Sequence, residues 1–123
     1  DKYKAFKNIQ FVGGIYDIEV LNNLRYHANI YFHGHSVGGT NPSLLEAMAS
    51  NSLICANNNI FNAAILGNDA LYFSSAVDVT DILNHSKKEV YKAMVNNNLE
   101  KIEKIYEWNR IIDQYEQHFK SIL

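Results

Sequence analysis

The chain has 123 residues, 47% of them hydrophobic, enough for one modest core and so for a single globular domain or part of one. Its 11 Lys+Arg against 13 Asp+Glu leave a formal charge of -2, which gives no long-range field to draw nucleic acid or acidic lipid. The lone cysteine, Cys55, excludes an internal disulfide and a Cys-based zinc cluster and fits a reducing, cytoplasmic setting.

The start, DKYKAFKN, lacks the apolar stretch of a signal peptide, and no apolar run approaches the roughly 18 residues that span a bilayer. Membrane contact is therefore expected to be peripheral at most, at the cytoplasmic face. Ile9 to Val12 is the first short run rich in β-branched and aromatic residues, and it predicts a buried strand. Ile18, Leu21, Leu24 and Tyr26 then recur at helical spacing. Ile30 to His33 predicts a second strand.

The next run, His33-Gly34-His35-Ser36-Val37-Gly38-Gly39-Thr40-Asn41-Pro42-Ser43-Leu44-Leu45-Glu46-Ala47-Met48-Ala49, leaves a strand and opens a helix. In open α/β sheets this is where ligands bind, at the carboxyl ends of the strands. Asn41 suits an N-cap, and Pro42, the only proline, suits the first helical turn. Gly38 and Gly39 let backbone approach a ligand, and bare N–H groups at the helix start can receive an anion. No Lys or Arg lies between Arg25 and Lys87, so a phosphate held here must rely on backbone N–H groups, hydroxyls or His. One turn into the helix, Glu46 suits the paired hydroxyl donors of a ribose better than it suits a phosphate, because like charges repel.

Leu53 to Ala56 predicts a third strand, Phe61 to Leu66 a short helix, and Leu71 to Ser74 a fourth strand. Asn57, Asn58 and Asn59 follow the third strand, where they either line the same cleft or form a simple turn. After Ser86 a charged amphipathic tail, with Leu99, Ile102, Tyr106, Ile112, Tyr115, Phe119 and Ile122 recurring, predicts two helices joined at Asn96-Asn97-Asn98, a poor helix interior. The alternation predicts an α/β fold: a Rossmann-like parallel sheet with helices on both faces, followed by C-terminal helices.

The run HGHSVGGTNPSLLEAMA resembles the donor-binding C-terminal domain of GT-B glycosyltransferases of family 4, most closely the rhamnosyltransferase-like branch. The likeness reaches from about Ile9 to the C-terminus. Phe11-Val12-Gly13 matches the strand and turn before the donor loop, and Tyr106-Glu107-Trp108 the aromatic start of the closing helix. On this resemblance residues 1–123 form a partial nucleotide-sugar-binding domain. Glu46 takes the place of the second of two family glutamates, the one that binds the ribose. Gly38 stands where the first would be, and Ala64 replaces a further glutamate. His35 or the N–H groups from Gly38 to Thr40 are then the candidates for orienting the donor sugar, and His35 is the candidate catalytic residue.

The resemblance further implies a retaining, metal-independent transfer of a sugar, rhamnose or another hexose, for bacterial-type cell-surface polysaccharide synthesis. The substrate is a nucleoside-diphosphate sugar, and a glycan or lipid-linked acceptor is met through an N-terminal domain. The family's Arg and Lys for the diphosphate would precede Asp1, so the fragment alone is expected to be inactive. The expected donor-binding set is Glu46, Gly38, Gly39, Thr40, Asn41, His35, Asn59, Phe61 and Asn62. His33, His35 and Glu46 match a zinc count, but no supporting carboxylate is evident nearby, and no metal is expected. His33 reads as a packing residue. Taken singly, the glycines, Asn41-Pro42 and Glu46 are ordinary turn and helix features, and the specificity lies in the whole run. Alternatives are a GT-B-like sugar-nucleotide epimerase and a non-catalytic module that binds nucleotide or protein.

Overall fold

The computed structural model describes residues 2–123. Helix α1 (Ile18–His27) leads into strand β1 (Tyr31–His33), helix α2 (Pro42–Ala49), strand β2 (Ile54–Asn57), helix α3 (Ile60–Leu66) and strand β3 (Leu71–Phe73). Helix α4 (Ala76–His85), a 3-10 turn over Lys88–Tyr91, helix α5 (Lys92–Ile105) and helix α6 (Trp108–Ile122) follow. The three strands form one parallel sheet in the order β1-β2-β3, with Phe32 opposite Cys55 and Cys55 opposite Leu71. Each crossover is a helix, as parallel pairing requires. The chain is therefore α/β with a parallel sheet.

Side chains alternate across a strand, so one face of the sheet carries Tyr31, His33, Ile54, Ala56 and Tyr72. The core gathers on that face. Leu44, Ala47 and Met48 of α2, Leu66 of α3 and Ala70 close over Ile54 and Ala56, with Ile102 of α5 at the margin. β2 is the central strand, and Leu53 through Ala56 are completely buried. On the opposite face Phe32 is 36% exposed and leans on Phe73, with ring centroids 6.2 Å apart.

Two expectations are corrected, and one helix is added. Ile9 to Val12 is not a strand: the segment pairs with no other, and Ile9, Phe11 and Val12 are exposed. Apolar and β-branched character does not suffice where no neighbouring strand satisfies the backbone. The Asn96-Asn97-Asn98 triplet is not a helix junction either, because α5 runs through it and the break falls at Tyr106-Glu107.

Hydrogen bonding outweighs the poor propensity of asparagine at this triplet. Nδ2 of Asn98, itself 1% exposed, donates to the Asp69 carbonyl at 2.7 Å, and Nδ2 of Asn97 donates to the Asp69 carboxylate at 2.7 Å. Lys101, one turn on, donates to the Leu66 carbonyl and pairs with Asp69, both at 2.6 Å. Each net bond contributes about 1 kcal/mol, more than the roughly 0.7 kcal/mol lost per residue of weak propensity.

The third difference is α4, a helix that hydrophobic spacing does not reveal. Its capping box was the available signal: the Ser75 side chain accepts from the Asp78 N–H while the Asp78 carboxylate accepts from the Ser75 N–H. Those bonds, with one from the Ser74 N–H, hold the Asp78 carboxyl below the ordinary carboxylate range.

Candidate functional site at the carboxyl end of the sheet

β1 ends at His33, and the chain then loops over the sheet before α2 begins. Asn41 caps α2 as expected: its Oδ1 accepts from the Ser43 N–H at 3.0 Å and from the Ser43 hydroxyl at 2.7 Å. Pro42 follows at the first helical position, and the N–H groups of Leu44 and Leu45 donate to the Asn41 carbonyl. The first turn of α2 therefore holds no bare amide. Pro42 has none, and the others already have acceptors. The expected anion-receiving groups lie instead in the preceding loop, where the N–H groups of Gly38, Gly39, Thr40 and Asn41 reach no acceptor among the described residues.

Gly38 has φ +125°, a conformation that side-chain-bearing residues rarely adopt, while a Cβ there would meet nothing within 4 Å. The requirement for glycine is thus one of backbone shape rather than crowding. A glutamate at this position would need a different loop.

The second wall of the cleft comes from the start of α3. Asn59 caps α3, its Oδ1 accepting from the N–H groups of Phe61 and Asn62, both at 3.0 Å. Its Nδ2 donates to the His35 carbonyl at 3.0 Å and to the Asn57 side chain at 3.0 Å. Asn62, 5% exposed, donates to the same His35 carbonyl at 3.0 Å and to the Asn57 carbonyl at 2.9 Å. Two carboxamides therefore clamp the β1–α2 loop to the β2–α3 loop. Their Nδ2 groups are engaged in holding backbone.

These walls enclose a cleft of about 130 Å³. His33, His35 and Gly38 to Pro42 stand on one side, with Asn59, Phe61 and Asn62 on the other. Every residue expected to bind the donor reaches this cleft except Glu46. Its Oε2 accepts from Nη2 of Arg25 on α1 at 2.8 Å, and Glu46 is absent from the lining. Arg25 is 6% exposed, with Nη1 donating to Asn22 and its guanidinium 5.9 Å from the Tyr31 ring centroid. A buried guanidinium needs a carboxylate partner, and that need draws Glu46 sideways to α1. The placement differs from the one expected, beside the anion site. One helical turn still separates it from Pro42 on the cleft wall.

His33, read from the sequence as a packing residue, is packed and also lines the cleft. It is 1% exposed, and its Nε2 finds no hydrogen-bond partner. Its ring stacks on His35, with centroids 4.7 Å apart and planes at 24°, and on Tyr31 at 6.4 Å. Burial, and then the charge of His35, lower its pKa from the ordinary histidine value. The signal was the i, i+2 spacing of His33 and His35 at a strand end. Cys55 is buried in the central strand β2, and burial pushes its thiol up to about 11, far from nucleophilic use.

Among the described residues no group of three or more His, Cys, Asp or Glu is placed to hold a metal ion, and no helix is long and apolar enough to cross a membrane. No protein-family model, curated protein or solved structure matches the chain.

Proposed function

We propose that this chain is the donor-binding part of a retaining GT-B glycosyltransferase of family 4, in the rhamnosyltransferase-like branch, working in bacterial-type cell-surface polysaccharide synthesis. The observation that carries the reading is the row of unpaired amides from Gly38 to Asn41, in the loop that also carries His35 at the carboxyl end of a parallel sheet. Those donors receive the diphosphate of a nucleoside-diphosphate sugar and stabilise its charge as it leaves. Glu46 serves the ribose through the carboxylate oxygen that Arg25 does not take. The acceptor hydroxyl, on a glycan or a lipid-linked glycan, approaches from outside these residues. The helices pack on both faces of a Rossmann-like sheet in the whole domain.

The cleft's about 130 Å³ is well below the roughly 300–1,000 Å³ of pockets that enclose a whole small molecule. It therefore holds the diphosphate and one adjoining edge of the sugar, and the base lies beyond it. A second reading, a nucleotide-binding module without transfer, is favoured by Gly38 in the place of a glutamate and by the engagement of Glu46 with Arg25.

Calorimetric titration with uridine, deoxythymidine and guanosine diphosphates tests the proposal. At least one is expected to bind with a Kd between about 1 μM and 1 mM, a free energy of roughly -8 to -4 kcal/mol. If none of the three binds at millimolar concentration, both nucleotide readings fail.

A further inference from the structure

His33 occupies a position that packing alone does not explain. An apolar residue would fill the space between Tyr31 and His35 without bringing a polar atom into a position that is 1% exposed. A buried polar atom without a partner is costly, and native structures rarely keep one unless something else meets it. The other unpartnered buried nitrogen, Nε of Arg25, belongs to a guanidinium already anchored by Glu46 and Asn22 and lies away from the cleft. His33 lines the cleft itself, beside the unpaired amides of Gly38 to Asn41.

We infer that His33 is a ligand-reading residue whose Nε2 exchanges a hydrogen bond with a hydroxyl of the sugar moiety of a bound nucleoside-diphosphate sugar. The inference rests on the sugar-nucleotide reading and adds to it the group that orients the sugar where Gly38 has replaced a carboxylate. The chemistry favours a hydroxyl over a second phosphoryl oxygen. Burial and His35 disfavour the imidazolium, so an anion would meet an uncharged ring. An uncharged imidazole presents a donor or an acceptor according to tautomer, and a hydroxyl answers either one. The amides of Gly38 to Asn41 meanwhile supply donors for the anionic oxygens.

The side chain that sits closer to solvent, His35, has a different part. Its carbonyl is held by Asn59 and Asn62, and its ring covers His33.

The test compares each nucleoside diphosphate with its sugar: UDP with UDP-glucose, dTDP with dTDP-rhamnose, GDP with GDP-mannose. In His33→Phe, which keeps a flat ring, affinity for the sugar nucleotide that binds best is expected to fall about 10-fold while affinity for the matching diphosphate stays within about 2-fold. His33→Gln, which restores a hydrogen-bonding group near Nε2, is expected to recover most of the loss. The native chain gives a readout independent of any variant: the ring nitrogens of ¹⁵N-labelled His33 are expected to shift when the sugar nucleotide is added and to stay in place with the diphosphate alone. Equal losses for diphosphate and sugar nucleotide, or an unmoved His33 resonance at saturation, would overturn the inference and leave the nucleotide reading standing. Absence of binding by every diphosphate and every sugar nucleotide would overturn both.

Discussion

The pair formed by Arg25 and Glu46 shows why a side chain's role cannot be read from its own helix. Glu46 is half-exposed and would cost little to lose if it stood alone, but Arg25 is buried and keeps its charge. Removing the carboxylate leaves that guanidinium bonded only to Asn22 through Nη1, with Nε already unpartnered. Glu46→Ala is therefore expected to destabilise the fold by about 1–3 kcal/mol, the range for stripping a partner from a buried charged donor. Urea denaturation measures it, and a change below about 0.5 kcal/mol would show that the pair is a surface contact of little consequence. Loss of nucleotide binding in a Glu46 variant must accordingly be judged against its stability. Gly38, Gly39 and Asn41 were legible because each belongs to a local signal, a glycine pair or an N-cap, whereas Phe61 and Asn62 were expected at the cleft only through the family resemblance. The partnership of Glu46 was not legible, since Arg25 lies 21 positions earlier and meets it only across packed helices.

At the scale of elements, the three strands and the first three helices were legible within one or two residues, for two physical reasons. Short apolar runs rich in β-branched and aromatic residues mark the strands, of which only β2 is buried on both faces, and Asn-Pro and Asn caps mark helix starts without help from tertiary structure. Ile9 to Val12 misled because β-propensity describes a residue's fit to a pleated surface and supplies no partner strand. Asn96 to Asn98 misled for the opposite reason: tertiary hydrogen bonds to Asp69 override local preference. Asn98→Ala, which improves intrinsic propensity, is consequently expected to lower stability by about 1–2 kcal/mol, because the partly buried Asp69 carbonyl loses its donor. A rise in Tm for this variant would mean that the docking of α5 is dispensable. The Lys101 and Asn97 bonds oppose the desolvation of Asp69 and hold its carboxyl below the ordinary range. This dock is therefore secure at neutral pH and weakens as pH falls through the lowered value.

For the molecule as a whole, the core is built by residues between Tyr31 and Ile102, while Trp108, Ile112, Tyr115, Phe119 and Ile122 of α6 stay more than half exposed. The ends of the chain therefore contribute little to the sheet that carries the cleft. That sheet presents its carboxyl edge with four amides and a buried histidine Nε2 that find no hydrogen-bond partner among the described residues, and a loop clamped by Asn59 and Asn62. A second hollow, lined by Asn29, Lys88, Glu89 and Lys92 among others, carries cations that the cleft lacks, one of them offset by Glu89. Net charge alone would draw an anion there. The two locations separate the proposed account, in which backbone amides hold the diphosphate, from simple attraction to lysine. The decisive measurement follows backbone amide resonances as UDP, dTDP and GDP are added. The account predicts saturable shifts centred on Gly38, Gly39, Thr40 and Asn41; shifts confined to Lys88 and Lys92, or no saturable shift anywhere, would contradict it.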